Sequence, residues 1–128
     1  MSVSFEDFLQ SAEVLLSNPN SKEIDFRNLI SRSYYALFHL GEEKSKNLPV
    51  QRKKDGEKPK GSHEKVIIKF EQHPDENLKQ IGREMNRLKQ TRCLADYKIR
   101  KHIVRSKAEK HLFDVKNVIK QLQQLNTH

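Results

Sequence analysis

The sequence predicts an all-α fold, an antiparallel bundle of four to five helices. Two observations predict it. Apolar residues recur at helical spacing in successive segments, with turn-forming stretches between them. No segment of five or more residues alternates with the period of two that a half-buried strand needs, so no strands are expected.

Ser4 with Asp7 reads as a capping box. Phe5, Phe8, Leu9, Ala12, Leu15 and Leu16 follow at i, i+3 and i+4, an amphipathic first helix that Ser17-Asn18-Pro19-Asn20 stops. Asn20 or Ser21 is expected to cap a second helix, which runs through Ile24 to about Leu40 and ends near Gly41. Phe26, Leu29, Ile30, Ala36, Leu37 and Leu40 spread around it, and Tyr34, Tyr35 and Phe38 add aromatic bulk, so it should be the central, buried helix. Asp25, Asn28, Arg32, Tyr35 and His39 nevertheless share one side. A polar seam on a buried helix must be paired internally or face a cleft.

Residues 42–61 are rich in Lys, Glu, Gly and Pro without periodicity and read as a mobile basic loop. Ser62 is expected to cap a short helix carrying His63, Val66, Ile67 and Phe70 on one face, and His73-Pro74 to interrupt it. A fourth helix follows from about Asp75 with Leu78, Ile81, Met85 and Leu88 as its inner stripe. Arg92 stands on that stripe where an apolar residue is expected, with Asp96 one turn on. After a basic stretch from Tyr97 to Arg105, Ser106 with Glu109 suggests a capping box. Ala108, Leu112, Val115, Ile119, Leu122 and Leu125 trace the last helix.

A chain of 128 residues is one domain at most. Its 34% apolar content is low enough that a partner chain would help bury surface. Twenty-five Lys and Arg against 17 Asp and Glu leave +8, which attracts polyanions, nucleic acid first. No run of about 18 apolar residues occurs, so no membrane span is expected. Met1-Ser2-Val3-Ser4-Phe5-Glu6 does not read as a signal peptide. The lone Cys93 excludes an intramolecular disulfide framework and suits a reducing cytoplasm. The absence of GxGxxG and GxxxxGK[ST] excludes Rossmann and P-loop sites. No cofactor and no metal site are expected.

Ser31-Arg32-Ser33-Tyr34-Tyr35-Ala36-Leu37-Phe38-His39 resembles the signature of the small, standalone HEPN-domain proteins of prokaryotes. Lys60-Gly61-Ser62-His63-Glu64-Lys65-Val66 is similar to the family's His opening a short helix, and Arg92-Cys93-Leu94-Ala95-Asp96-Tyr97 to its later Arg followed by Ala-Asp-Tyr. The resemblance covers nearly the whole chain and implies a helical bundle, usually a homodimer. In catalytic members an Arg and a His of an R-x4–6-H motif share the dimer cleft and act as a metal-independent ribonuclease. Other members bind nucleotides or serve as helical partners of a nucleotidyltransferase. Here the late Arg92 has no His four to six residues on, and Asp96 and Tyr97 stand in that region. An R-x6-H string does occur, from Arg32 to His39, on the second helix.

The expected function is therefore that of a HEPN-type RNA-binding protein, a metal-independent ribonuclease of a toxin–antitoxin or phage-defence kind. The alternative is a non-catalytic binding module: a nucleotide sensor, or a partner or antidote for a nucleotidyltransferase or toxin encoded nearby. Arg32, His39 and Arg92 are the candidate catalytic residues, as phosphate-binding cations beside a general acid/base. Asp25, Tyr35, Asp96 and Tyr97 are candidates to orient them or line the cleft. The bland reading is that Arg32 pairs with Asp25 or Asp96, that His39 closes its helix, and that Arg92–Asp96 is a buried pair setting helix register. His63, Lys98, Arg100, Lys101, His102 and Arg105 are the candidate nucleic-acid contacts. The competing possibility is a solvated charged surface.

Overall fold

The computed structural model describes residues 3–125. They form five helices, α1 (Phe5–Ser17), α2 (Glu23–Lys44), α3 (Gly61–Glu71), α4 (Glu76–Tyr97) and α5 (Arg105–Gln123), with no strand among the described residues. The all-α bundle expected from the apolar periodicity is what forms.

Helix α2 is the axis of the bundle, and each of the other four packs against it. Leu29, Ile30, Tyr34, Ala36 and Leu37 on it are completely buried. One cluster joins Tyr34, Leu37 and Phe38 to Val66 and Phe70 of α3, Ile81, Met85 and Leu88 of α4, and Val115, Val118 and Leu122 of α5. A second, around Ala12, Phe26, Leu29 and Ile30, is closed by Ala95, Ile103, Ala108 and Leu112. The apolar stripe of α1 lies over both, mostly half-buried.

The capping box at Ser4 and Asp7 is present in full. Three other helix ends differ from expectation. Helix α2 starts after Lys22, whose N–H donates to the Asp25 carboxylate at 2.8 Å, while the Ser21 hydroxyl donates to the Leu15 carbonyl. Helix α3 starts at Gly61 rather than after Ser62, with Glu64 accepting from the Lys60 N–H at 2.9 Å. Helix α5 starts at Arg105, with Val104 at the cap position and no side-chain cap, so the Ser106–Glu109 box does not form. In the first two cases an acid in the first turn reaches back to the backbone, which satisfies an orphan donor as a preceding Ser or Asn would.

Gly41 does not end α2, which runs one turn further to Lys44. It lies buried in the helix because a β-carbon there would stand 2.8 Å from the Met85 Cε. The connection to α3 is correspondingly shorter than residues 42–61. It is drawn back onto the bundle by an ion pair between Lys53 and Glu64 at 3.2 Å.

Candidate functional site

The side chains that carry chemistry gather where α2, the start of α3 and the C-terminal half of α4 meet. Arg92 is central. It occupies the inner face of α4 one turn after Leu88, and its Nε donates to the Asp96 carboxylate at 2.9 Å. The two side chains are 11% and 26% exposed, so the pair is largely but not wholly withdrawn from water. The guanidinium carbon sits 5.8 Å from the Tyr34 ring centroid, 5.5 Å from Tyr35 and 6.0 Å from Tyr97. Each ring face attracts a cation, so three tyrosines and one carboxylate hold the charge in a fixed place.

His63 arrives from the first turn of α3. Its ring stacks on Phe38 with centroids 3.9 Å apart, and its Nδ1 lies 3.0 Å from the Tyr34 hydroxyl. Burial, the Arg92 charge and Lys89 push the imidazole pKa below its ordinary value, so His63 is neutral at pH 7. Burial pushes the Tyr34 phenol up, so it keeps its proton. A protonated phenol beside a neutral imidazole is satisfied when the hydroxyl donates to Nδ1, which leaves the ring proton on Nε2.

His39 is exposed at the edge of the same cluster. It stacks on Phe8 of α1 at 5.3 Å and lies 6.3 Å from Tyr35 and 5.6 Å from Phe38, ring centre to ring centre. It is near enough to His63 to contribute to lowering that group's pKa. Arg32, also exposed, donates instead to the Ser11 hydroxyl of α1 at 2.7 Å. The helical spacing of Arg32 and His39 thus directs both toward α1, but only His39 touches the aromatic cluster. Asp25 is engaged at the α2 cap and not with Arg32.

The basic segment after α4 is fastened from beneath by a residue that the sequence reading did not single out. Arg27, 8% exposed, donates to the carbonyls of Ala95 at 2.8 Å, Lys98 at 3.2 Å and Ile99 at 3.4 Å, and also to that of Lys101. Its neighbour Glu23 accepts from the Ile103 N–H at 2.8 Å and lies 3.4 Å from His102. That backbone N–H is the main reason the Glu23 carboxyl is held below its ordinary pKa. With its carbonyls turned inward, the segment presents Lys98, Arg100, Lys101 and His102 to solvent beside exposed Tyr97 and Ile99. Arg105 does not join them. It donates to the Leu16 and Asn18 carbonyls at 2.6 and 2.9 Å and lies over the Phe26 ring, closing the C-terminus of α1. The i,i+4 spacing of Glu23 and Arg27 was visible in the sequence. That Arg27 reaches carbonyls about 70 residues away was not.

Among the described residues no group of three His, Cys, Asp or Glu side chains is placed to hold a metal ion, and no helix is long and apolar enough to cross a membrane. No family model, no curated protein and no solved structure matches the chain.

Proposed function

We propose that this chain is a HEPN-type RNA-binding protein and a metal-independent ribonuclease, with Arg92 as its phosphate-binding cation and His63 as the imidazole paired with it. The observation that carries the reading is that α3 delivers a neutral His63 to the tyrosine cluster around Arg92, where the sequence motif lacks its late histidine. The resemblance of the second helix and of the Arg92–Tyr97 segment to that family supports it, as does the +8 charge. In the reaction the RNA 2′-oxygen bonds to its own phosphorus and the bond to the 5′-oxygen breaks, leaving a 2′,3′-cyclic phosphate. Arg92 stabilises the phosphorane charge. His39 takes the 2′-hydroxyl proton and, as the imidazolium so formed, returns it to the departing 5′-oxygen, while the neutral His63 keeps its Nε2–H and donates a hydrogen bond to a phosphate oxygen.

Cleavage of single-stranded RNA in EDTA, with the product ends analysed, tests this. Arg92→Gln and His63→Ala should each lower the rate about 10²–10⁴-fold. Cleavage that needs added metal, or that survives both substitutions, refutes the assignment.

A second reading rests on the closed state of the same groups. The Arg92 Nε is occupied by Asp96, its side chain is only 11% exposed, and His63 Nδ1 is taken by Tyr34. A site so fully satisfied suits a binding module that recognises a nucleotide or a protein partner without cleaving. RNA binding with no product in the same assay favours it. The homodimer that the resemblance implies is tested by sedimentation.

A further inference from the structure

A groove runs beside Arg92 along the C-terminal half of α4, and the cleavage chemistry does not use it. Asn86, Lys89, Gln90, Cys93, Tyr97 and Lys98 are among the residues that line it, around a volume of about 590 Å³. Asn86, Gln90, Cys93 and Tyr97 follow one another at i+4, i+3 and i+4, so the helix itself sets them on one face. The groove adjoins the Arg92 site at three points. The Arg92 Nη1 lies 4.0 Å from the Cys93 Sγ, and its guanidinium carbon lies 6.0 Å from the centre of the Tyr97 ring. The Lys89 charge reaches His63 and helps to lower its pKa.

Three features of the groove match one unpaired nucleotide. First, Tyr97 is 70% exposed, so most of its ring surface is open even with Arg92 beside it. An open aromatic face at the edge of a basic groove is a platform on which any base can stack. Second, Asn86 and Gln90 put two carboxamides on the wall, one turn apart, and no hydrogen bond among the described residues engages either. A carboxamide presents a donor and an acceptor side by side, the pattern that pairs with the N7 acceptor and the N6 amine of adenine. Third, the described residues of the lining include Lys89 and Lys98 and no carboxylate. Past Tyr97 and Lys98 a second hollow, of about 430 Å³, continues to Ile99, Arg100 and Lys101, again without a carboxylate, which extends the cationic track along which a backbone can run.

We propose that this groove is the base-reading subsite of the RNA site, taking one unpaired base of a single strand, adenine in preference, stacked on Tyr97 and read by the carboxamides of Asn86 and Gln90. Lys89 and Lys98 hold the phosphates on either side of it. The inference rests on the RNA reading above and adds its specificity: the base in the groove belongs to the nucleotide next to the phosphate on Arg92, because Tyr97 touches both. Paired RNA does not fit, since a base must be splayed out of the helix to stack on a side chain and show its edge to the protein.

The experiment measures binding of the whole chain to short fluorescent uridine strands that carry a single central adenosine or a central uridine, at one fixed salt concentration. Every ribose is 2′-O-methylated, so no strand can be cleaved and binding is read apart from catalysis. The adenosine strand should bind about fivefold or more tighter than the all-uridine strand, and it should move the side-chain nitrogen-15 signals of Asn86 and Gln90. The double variant Asn86→Leu, Gln90→Leu, checked for an unchanged melt, should bring the two strands within about twofold of each other while leaving the all-uridine strand's Kd as it was. Tyr97→Leu should weaken both strands by about fivefold or more. Annealing the adenosine strand to its complement should weaken its binding. Equal binding of the two strands by the unaltered chain overturns the subsite, as does a preference that survives the double variant or a duplex bound as tightly as the single strand. Binding of neither strand overturns the subsite together with the RNA reading. Binding with the expected preference, but no product from an unmodified strand in EDTA, supports the subsite and removes only the ribonuclease.

Discussion

Arg27 and Glu23, one turn apart on α2 and 3.3 Å from each other, together hold the backbone of residues 95 to 103. The guanidinium collects carbonyls and the carboxylate takes an amide, so the end of α4 and the non-helical stretch that follows it, residues 98–103, are fixed by two side chains. Arg27→Ala strands these acceptors where water replaces the donor only in part. Each buried group left unpaired costs about 1–3 kcal/mol, so the variant should lose roughly 3 kcal/mol in chemical denaturation. Arg27→Lys keeps the charge but not the planar fork and should recover only part of that loss. A change under about 0.5 kcal/mol for Arg27→Ala would show that the segment needs no such support.

The Arg92–Asp96 pair lies between the exposed and the buried cases. Exposed pairs are worth about 0–1 kcal/mol, and breaking a buried one costs about 3–5 kcal/mol. At 11% and 26% exposure, Asp96→Ala should cost about 2 kcal/mol by thermal melt and leave Arg92 tethered only by the tyrosines. Arg92→Ala should cost a similar amount and in addition abolish RNA binding. If Asp96→Ala changes neither stability nor binding, the two residues do not act as a unit.

His111 should make the fold acid-sensitive. Its folded pKa of about 4 lies below the value of 6.5 that the group has when unfolded. The unfolded chain therefore binds the proton first as pH falls, and the native state loses stability from pH 6.5 down to about 4. The full difference is about 3 kcal/mol. His111→Gln removes the titrating group, so its unfolding free energy should fall less over that interval, as urea melts at several pH values would show.

RNA binding should weaken steeply with salt. Each phosphate contact on a single strand contributes about −0.7 to the slope of log K against log salt. Lys98, Arg100 and Lys101 all face solvent on the braced segment. Replacing the three with Gln should make the slope shallower by about 2 and leave the melting temperature within a few degrees. An unchanged slope would place the contacts elsewhere.

Two helical glycines should respond differently to alanine. A β-carbon at Gly82 would lie 2.5 Å from the Glu71 backbone nitrogen, whereas at Gly41 it meets the flexible end of Met85. Gly82→Ala must push α3 from α4 and should cost at least the 1–3 kcal/mol typical of overpacking. At Gly41 the Met85 side chain can turn away, and the roughly 1 kcal/mol that a helix gains on Gly→Ala offsets part of the strain. Comparable losses for the two variants, measured by denaturation, would contradict this.

The helices and their inward stripes were legible in the sequence because apolar periodicity reports directly which face of a helix leaves water. Tyr34, Leu37, Met85, Leu88, Val115 and Leu122 are core residues on that ground alone. The Arg92–Asp96 pair was legible for a related reason: a cation on an inner stripe needs a carboxylate, and one stood a single turn away. Helix ends were less legible, because an acid in the first turn or a bare backbone replaced the expected Ser and Asn caps. Tertiary structure alone decided which histidine meets Arg92, since His63 and Arg92 share neither helix nor sequence neighbourhood and are joined by how α3 packs across α2 and α4. It likewise decided that Arg27 braces a segment some 70 residues on, that Arg105 turns inward, and that His111 is sealed without a partner. Local periodicity carries the direction in which a side chain leaves its own helix. What it meets there depends on the placement of the other helices, which long-range packing determines.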